Sequence, residues 1–354
     1  MSVLYKSCIK PLFFQLDPES AHELAVNLLK VLSNLPVVRD GMAWANQLSI
    51  EAEPVELFGL EFPNRVGLAA GFDKNAVCWR AFEALGFGHV EIGTVTFHEQ
   101  PGNPKPRMFR YPEEETLLNR MGFNNQGAHA VAERLRKLDG PGERGIPLGI
   151  NIGKSKVAPI DEAVADYLGS FDLLADLADY LVINVSSPNT PNLRQLQEGA
   201  RLRELLGALQ ERNKERSERV GGAKLPILLK IAPDLTEGAI DDILQILFDF
   251  EYAGIIATNT TMARTGPFAD INQAGGLSGK VVEEMSTNVV RYIAEKTEGK
   301  LPIIGVGGID SPDTALRKLD AGASLVQIYS GMIYQGPFLG KKIARSLAKK
   351  AGDL

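Results

Sequence analysis

The run Ile183-Asn184-Val185-Ser186-Ser187-Pro188-Asn189-Thr190-Pro191-Asn192 places amides, hydroxyls and prolines directly behind the apolar Tyr180-Leu181-Val182. Prolines end a strand ladder and fix the chain direction, so the Asn and Ser side chains are held at the carboxyl end of a buried strand. In parallel α/β folds that is where chemistry sits. The same residue types also make an ordinary capped turn, so the choice rests on the other strand ends. Lys230 stands directly behind Ile227-Leu228-Leu229, where a charged head is seldom buried without a use; the alternative is a side chain snorkelling to water. Ala69-Ala70-Gly71-Phe72-Asp73-Lys74 offers small residues for close approach to a flat ligand, followed by a cation. Further polar ends are Glu91-Ile92-Gly93-Thr94, Gly149-Ile150-Asn151 and Thr258-Asn259-Thr260-Thr261. One buried amide is usually a satisfied core group. Several strand ends offering amides, hydroxyls and an ammonium to one place point to a site.

The elements that must position these groups are short apolar runs of four to six residues, at 66–70, 90–93, 148–151, 180–185, 227–231, 254–258, 303–306 and 324–328. They are rich in Val, Ile and Leu, as fully buried parallel strands are. Segments of helical spacing lie between them. One is 239–250, with Ile240, Ile243, Leu244, Leu247 and Phe248 on its apolar face; another is 314–319, behind Ser311-Pro312. Eight strands alternating with helices predict an α/β fold of the (β/α)8 TIM-barrel type. An open doubly wound sheet would want a GxGxxG turn after its first strand, which Leu68-Ala69-Ala70-Gly71-Phe72 does not supply. In the barrel, Gly305-Val306-Gly307-Gly308 and Tyr329-Ser330-Gly331 follow strands seven and eight, the corner where such barrels hold phosphate through backbone N–H groups. Gly275 to Gly279 could add another close approach.

Residues 1–45 form a small N-terminal domain of two short helices at 5–16 and 20–32, ahead of a barrel domain at 46–354. By pattern alone the helices cap one end of the barrel; the other reading is an apolar module that dips into a bilayer surface. Four Lys and Arg balance four Asp and Glu in residues 1–50, so no basic patch draws them to anionic lipid.

Across 354 residues the formal charge is -6, which argues against a broad nucleic-acid footprint but leaves room for a small anionic substrate. Two cysteines and four scattered histidines predict neither a disulfide framework nor a metal site, and suit a reducing compartment. Lys6, Lys10, Asp17 and Glu19 interrupt any signal-peptide core, and no apolar stretch is long enough to span a bilayer.

Together these residues resemble the class 2, quinone-dependent dihydroorotate dehydrogenases of bacterial type. The resemblance runs nearly end to end through AAGFDK (69–74), EIGTVT (91–96), QPGNPKPRMFR (100–110), NRMGFNN (119–125), GINIGK (149–154), INVSSPNTPNLR (183–194), LLKIAPDL (228–235), ATNTT (257–261), GGLSG (275–279), GVGGID (305–310) and QIYSG (327–331). It implies one flavin mononucleotide (FMN) at the barrel mouth, held at Ala70, Gly71, Phe72, Asp73, Lys74, Thr94, Asn151, Asn184, Lys230, Thr258, Gly279, Gly308, Tyr329 and Ser330. Dihydroorotate would be held by Lys74, Asn119, Arg120, Met121, Gly122, Phe123, Asn184, Asn189, Asn259 and Thr260. The chemistry is consistent, since a carboxylate and a cyclic imide need one cation and several amides. The family's serine base falls on Ser187, with Thr190 and a water beside Phe123 as its proton route, and its quinone-site positions fall on His22 and Arg110. The resemblance thereby favours the functional reading of the helices, as a tunnel admitting ubiquinone from the membrane. It implies oxidation of dihydroorotate to orotate in pyrimidine biosynthesis by a monomer, peripheral on the cytoplasmic face of a bacterial inner membrane, without iron–sulfur cluster, NAD domain or nucleic-acid partner. The competing readings are a soluble FMN-dependent reductase of another pyrimidine and a flavin-binding scaffold without catalysis.

Overall fold

All eight apolar runs become strands of one closed parallel barrel in the computed structural model: β1 (Val66–Leu68), β2 (His89–Val95), β3 (Leu148–Ile152), β4 (Tyr180–Asn184), β5 (Ile227–Ile231), β6 (Gly254–Ala257), β7 (Ile303–Val306) and β8 (Leu325–Ile328). Neighbours in sequence are neighbours in the sheet, and β8 pairs with β1 through Val326↔Val66 and Ile328↔Leu68 to close the ring. Every residue of these strands is buried, which explains why they read as unbroken apolar runs rather than alternating ones. The structure describes residues 4–352 except Glu51, Glu53, Pro191, Asn192 and Glu198, so the end of the 183–192 run lies outside the described residues.

Outer helices follow the strands in turn. The Glu237–Asp249 helix starts at Thr236, whose hydroxyl accepts from Ala239 N–H, and buries Ile240, Ile243, Leu244 and Leu247. Phe248, expected on the same face, is 46 % exposed. The Pro312–Asp320 helix opens on a reciprocal capping pair, Ser311 and Thr314, with Pro312 in its first turn. Inside the barrel the lower layer is filled by Tyr180, Val182, Leu228, Ile256, Ile304 and Leu325. Tyr180 fits only because β3 carries Gly149 opposite, where a Cβ would stand 2.2 Å from the ring.

Three features go beyond the sequence reading. A hairpin of Val55–Leu57 and Leu60–Phe62 packs Leu57, Leu60 and Phe62 against that lower layer and closes the amino end of the barrel. A three-stranded antiparallel sheet, Met108–Tyr111, Thr116–Asn119 and Gly276–Gly279, joins segments far apart in sequence near the carboxyl end. A further N-terminal helix, Pro36–Ile50, follows Pro18–Ser33, because a proline that ends one helix can also begin the next, where its missing N–H is no loss. The first expected helix is divided into a π turn, Tyr5–Ile9, and a helix, Lys10–Gln15, with Pro11 at the join.

Candidate active site

At the carboxyl ends of the strands lies a cavity partly open to solvent. The short polar segments after the strands line it because each leaves its ladder just as the apolar run ends. Ala70, Gly71 and Lys74 come from the segment after β1, Thr94 from β2, Asn184 and Ser187 from the end of β4, and Lys230 from β5; Thr258, Asn259 and Thr260 follow β6. Asn119, Met121, Gly122, Phe123 and Asn189 form its roof, with Gly279, Gly308, Tyr329 and Ser330 at one side.

The floor is a connected polar network. Asn184 Nδ2 donates to Thr94 Oγ1 at 3.0 Å, Thr94 Oγ1 donates to Asn151 Oδ1 at 2.6 Å, and Asn151 Nδ2 donates to Glu91 Oε1 at 2.7 Å. Lys230 Nζ also donates to Glu91 Oε1, at 3.0 Å, and Gln327 Nε2 donates to Glu91 Oε2 at 2.8 Å. Toward the β4 loop, Asn259 Nδ2 donates to Ser186 Oγ at 3.0 Å, which in turn donates to Asn184 Oδ1 at 3.0 Å. Asn189 Nδ2 reaches Asn119 Oδ1 at 3.3 Å, tying the loop to the roof strand. These bonds fix the side chains before any ligand arrives.

Ser187 is buried, and its Oγ accepts the backbone N–H of Asn189 at 3.2 Å. Nearby in the chain, the buried Thr190 Oγ1 has no hydrogen-bond partner among the described residues, nor does Thr260 Oγ1. Lys74 makes no hydrogen bond or ion pair with a described residue; burial first, then the Arg107 charge, push its ammonium down to about 8. An unpaired cation beside four amides suits a carboxylate-bearing ring that both donates and accepts.

The glycine side has a different character. The N–H groups of Gly308, Ser330 and Gly331 have no partner among the described residues. Gly308 has φ +71, and a Cβ there would stand 2.4 Å from Glu283 Cα, so only glycine lets this turn pack against the next helix. Ser278 Oγ and Ser330 Oγ are 2.9 Å apart. Backbone donors and two hydroxyls fit a phosphate group, and Lys230 with the floor amides fits a flat polar ring such as that of FMN.

Several expected residues have other roles. Phe72 points toward the N-terminal helices, meeting the His22 ring edge-on at 4.9 Å and Tyr329 at 6.2 Å. The Asp73 carboxylate is buried and accepts from Val77 and Cys78 N–H, shaping the turn after β1. Asn151 lies beneath Thr94 rather than at the cavity surface. Arg120 bonds Pro106 O at 2.9 Å and stacks on Phe109, because the roof strand turns it away from the mouth. Thr190 sits behind the lining.

His22 and Arg110 lie outside the cavity. Burial first, and Lys74 second, push His22 down to about 3, so it is neutral near pH 7. Arg110 caps the Lys10–Gln15 helix, donating to the carbonyls of Phe13, Phe14 and Leu16, and covers the Phe14 ring at 4.5 Å. Two residues the sequence reading did not single out join the helices to the roof: Arg107 Nη2 and the buried Glu19 Oε1 are 2.7 Å apart, and Arg107 Nη1 donates to the carbonyls of Pro101 and Asn103. Glu91 and Gln327 were likewise not singled out, although both stand inside the quoted motifs. Their partners are 139 and 236 residues away, beyond the reach of local spacing.

The sequence model of the family described as dihydroorotate dehydrogenase matches residues 53–350. The chain belongs to the dihydroorotate dehydrogenase family. A curated relative from Chloroflexus aurantiacus, named dihydroorotate dehydrogenase (quinone), is 48 % identical over 98 % of this chain and 96 % of its own. Relatives of the same name from Nostoc punctiforme and Christiangramia forsetii are 48 % and 46 % identical, covering 98 % of this chain and 94 % and 99 % of theirs. A crystal structure of the Eimeria tenella enzyme in complex with ferulenol is 36 % identical, with TM-score 0.79 over 90 % of this chain and 91 % of that one. The family model begins where the Val55–Leu57 hairpin strand does, whereas the quinone-named relatives also align through most of the N-terminal helices. Among the described residues no helix is long and apolar enough to cross a membrane, and no cluster of His, Cys, Asp or Glu could hold a metal ion.

Proposed function

We propose that this chain oxidises dihydroorotate to orotate with bound FMN and passes the electrons to a membrane quinone. The observation that carries this reading is one cavity that joins Ser187, an unpaired Lys74 and four amides on one side to Lys230 and free backbone donors on the other. Lys74 holds the substrate carboxylate, and Asn119, Asn184, Asn189 and Asn259 hold its ring amide and imide groups, with Thr260 Oγ1 supplying a further buried donor. That grip orients the ring with C5 toward Ser187, which removes the proton there. The Asn189 N–H stabilises the serine oxygen once its own proton has gone, and Thr190, three residues on, takes part in that transfer. FMN, held by Lys230, Thr94, Thr258 and the Gly279, Gly308 and Ser330 corner, would supply the two-electron acceptor for the hydride leaving C6.

Residues 1–45, in a helical segment that runs on to Ile50, act as the quinone module, and the remainder is the catalytic barrel. His22 touches Phe72, which touches the cavity-lining Tyr329, so an apolar path of rings leads from the helices to the cavity. Large apolar side chains exposed on these helices support a peripheral position on a bilayer, for which we propose the cytoplasmic face of a bacterial inner membrane.

Anaerobic mixing with dihydroorotate should bleach the flavin band, and a ubiquinone analogue should restore it. A yellow protein that stays yellow would favour a reductase of another pyrimidine, and a protein that cannot be loaded with FMN would overturn the reading of the cavity.

A further inference from the structure

Glu91 takes no direct part in the scheme above, yet it is the carboxylate on which the cavity floor converges. Its side chain is wholly buried on β2, and its three donors come from three other strands: Asn151 on β3, Lys230 on β5 and Gln327 on β8. A carboxylate only accepts, so it dictates which way both amides turn. Lys230 and Gln327 line the cavity while Glu91 stands behind them, and Asn151 hands the constraint on to Thr94 and Asn184. The Lys230–Glu91 pair, 3.0 Å apart and shielded from water, is neutral as a unit. The cavity therefore meets the positive end of a dipole rather than a full unit charge.

We propose that Glu91 is a positioning residue that fixes Lys230 and moderates the positive charge it presents, thereby setting how readily a negative charge forms in the cavity. The inference rests on the flavin reading above. A hydride brings two electrons and one proton, so a ring that accepts it gains one negative charge. Lys230 favours that charge from the near side, and Glu91 opposes it from behind. Removing Glu91 should ease reduction, and removing Lys230 should hinder it more than removing both partners together, because Glu91 is then left unpaired.

The test is the flavin midpoint potential of the holoenzyme, measured against reference dyes without dihydroorotate, for wild type, Glu91→Gln, Lys230→Gln and the double variant. Glu91→Gln should raise the reduced-to-oxidised ratio at fixed potential by about tenfold or more, the effect of one unit charge several ångströms away in a protein interior. Lys230→Gln should lower it, and the double variant should return toward wild type. Glu91→Asp should stay on the wild-type side. If Glu91→Gln does not fold, the comparison of Lys230→Gln with the double variant still decides. Equal potentials in those two, or flavin loss in Glu91→Gln without a shift in what remains bound, would reduce Glu91 to a barrel-building residue and overturn the proposal. Failure of the parent reading would show separately, as a wild-type protein that takes up no flavin.

Discussion

A serine hydroxyl is a weak base near neutral pH, so Ser187 needs help that its surroundings can be asked to provide. The Asn189 N–H at 3.2 Å lowers the cost of a negative oxygen, and burial keeps water from competing for it. Ser187→Ala should therefore keep its flavin but slow flavin reduction by dihydroorotate by about 10²–10⁴-fold in stopped flow; a colourless variant would show that Ser187 is structural instead. The pH dependence should separate two residues. Lys74 binds an anion only while protonated, and its ammonium is pushed down to about 8, so the dissociation constant of dihydroorotate, read from the concentration dependence of flavin reduction, should rise with pH through that value. At saturating substrate the bound carboxylate holds the proton on Lys74, and flavin reduction should keep rising with pH as Ser187 sheds its proton more easily. A dissociation constant flat between pH 7 and 10 would remove Lys74 from carboxylate binding.

At the scale of elements, the links between the helical module and the barrel are few and specific. Glu19 and Arg107 are both buried, so Glu19→Gln leaves an uncompensated cation, a loss of about 3–5 kcal/mol in comparable buried pairs. The variant should melt earlier and show a raised KM for a quinone analogue, with flavin reduction by dihydroorotate unchanged; unchanged quinone kinetics would detach the helices from that half-reaction. Within the barrel, His89 on β2 is pushed by burial down to about 3, and neither ring nitrogen has a partner among the described residues. The unfolded chain thus binds a proton below its ordinary value near 6.5 that the folded chain refuses, so stability should fall on acidification by about 1.4 kcal/mol per pH unit from this group. His89→Gln should flatten that slope in denaturant titrations between pH 6.5 and 4. The eight strands were legible because burial on both faces forces an unbroken apolar run, and the polar ends after them stood out against it. The antiparallel roof was not, since Gly276-Leu277-Ser278-Gly279 reads as a loop until Thr116–Asn119 pairs with it. Nor was Pro36–Ile50, where Gly41 and two adjacent valines, Val37 and Val38, argue locally against a helix. Individual cavity residues were legible largely through family resemblance; the Glu91 and Arg107 contacts depend on distant pairing that spacing does not encode.

The whole molecule is polarised along the barrel axis. The hairpin and the lower apolar layer close one end, while the cavity, the roof and the Pro18–Ser33 helix gather at the other, and the Pro36–Ile50 helix packs on the flank of the barrel. Leu12, Leu28, Val31, Val37 and Trp44 are each more than half exposed on the N-terminal helices, a segment whose charges cancel. A surface of that kind gains by burial in hydrocarbon and has little to gain from anionic headgroups. The chain carries two tryptophans, and they report on opposite environments: Trp44 is 66 % exposed and Trp79 only 3 %. Adding neutral phosphatidylcholine vesicles should shift the Trp44 emission to the blue, and Trp44→Leu should abolish the shift while the Trp79 emission stays in place. The shift should survive a rise in salt, because screening weakens attraction between charges but not apolar burial. A response that appears only with anionic vesicles and vanishes in salt would mean that charge holds the protein at the surface, and no response to either would leave the exposed apolar face without a lipid to cover it.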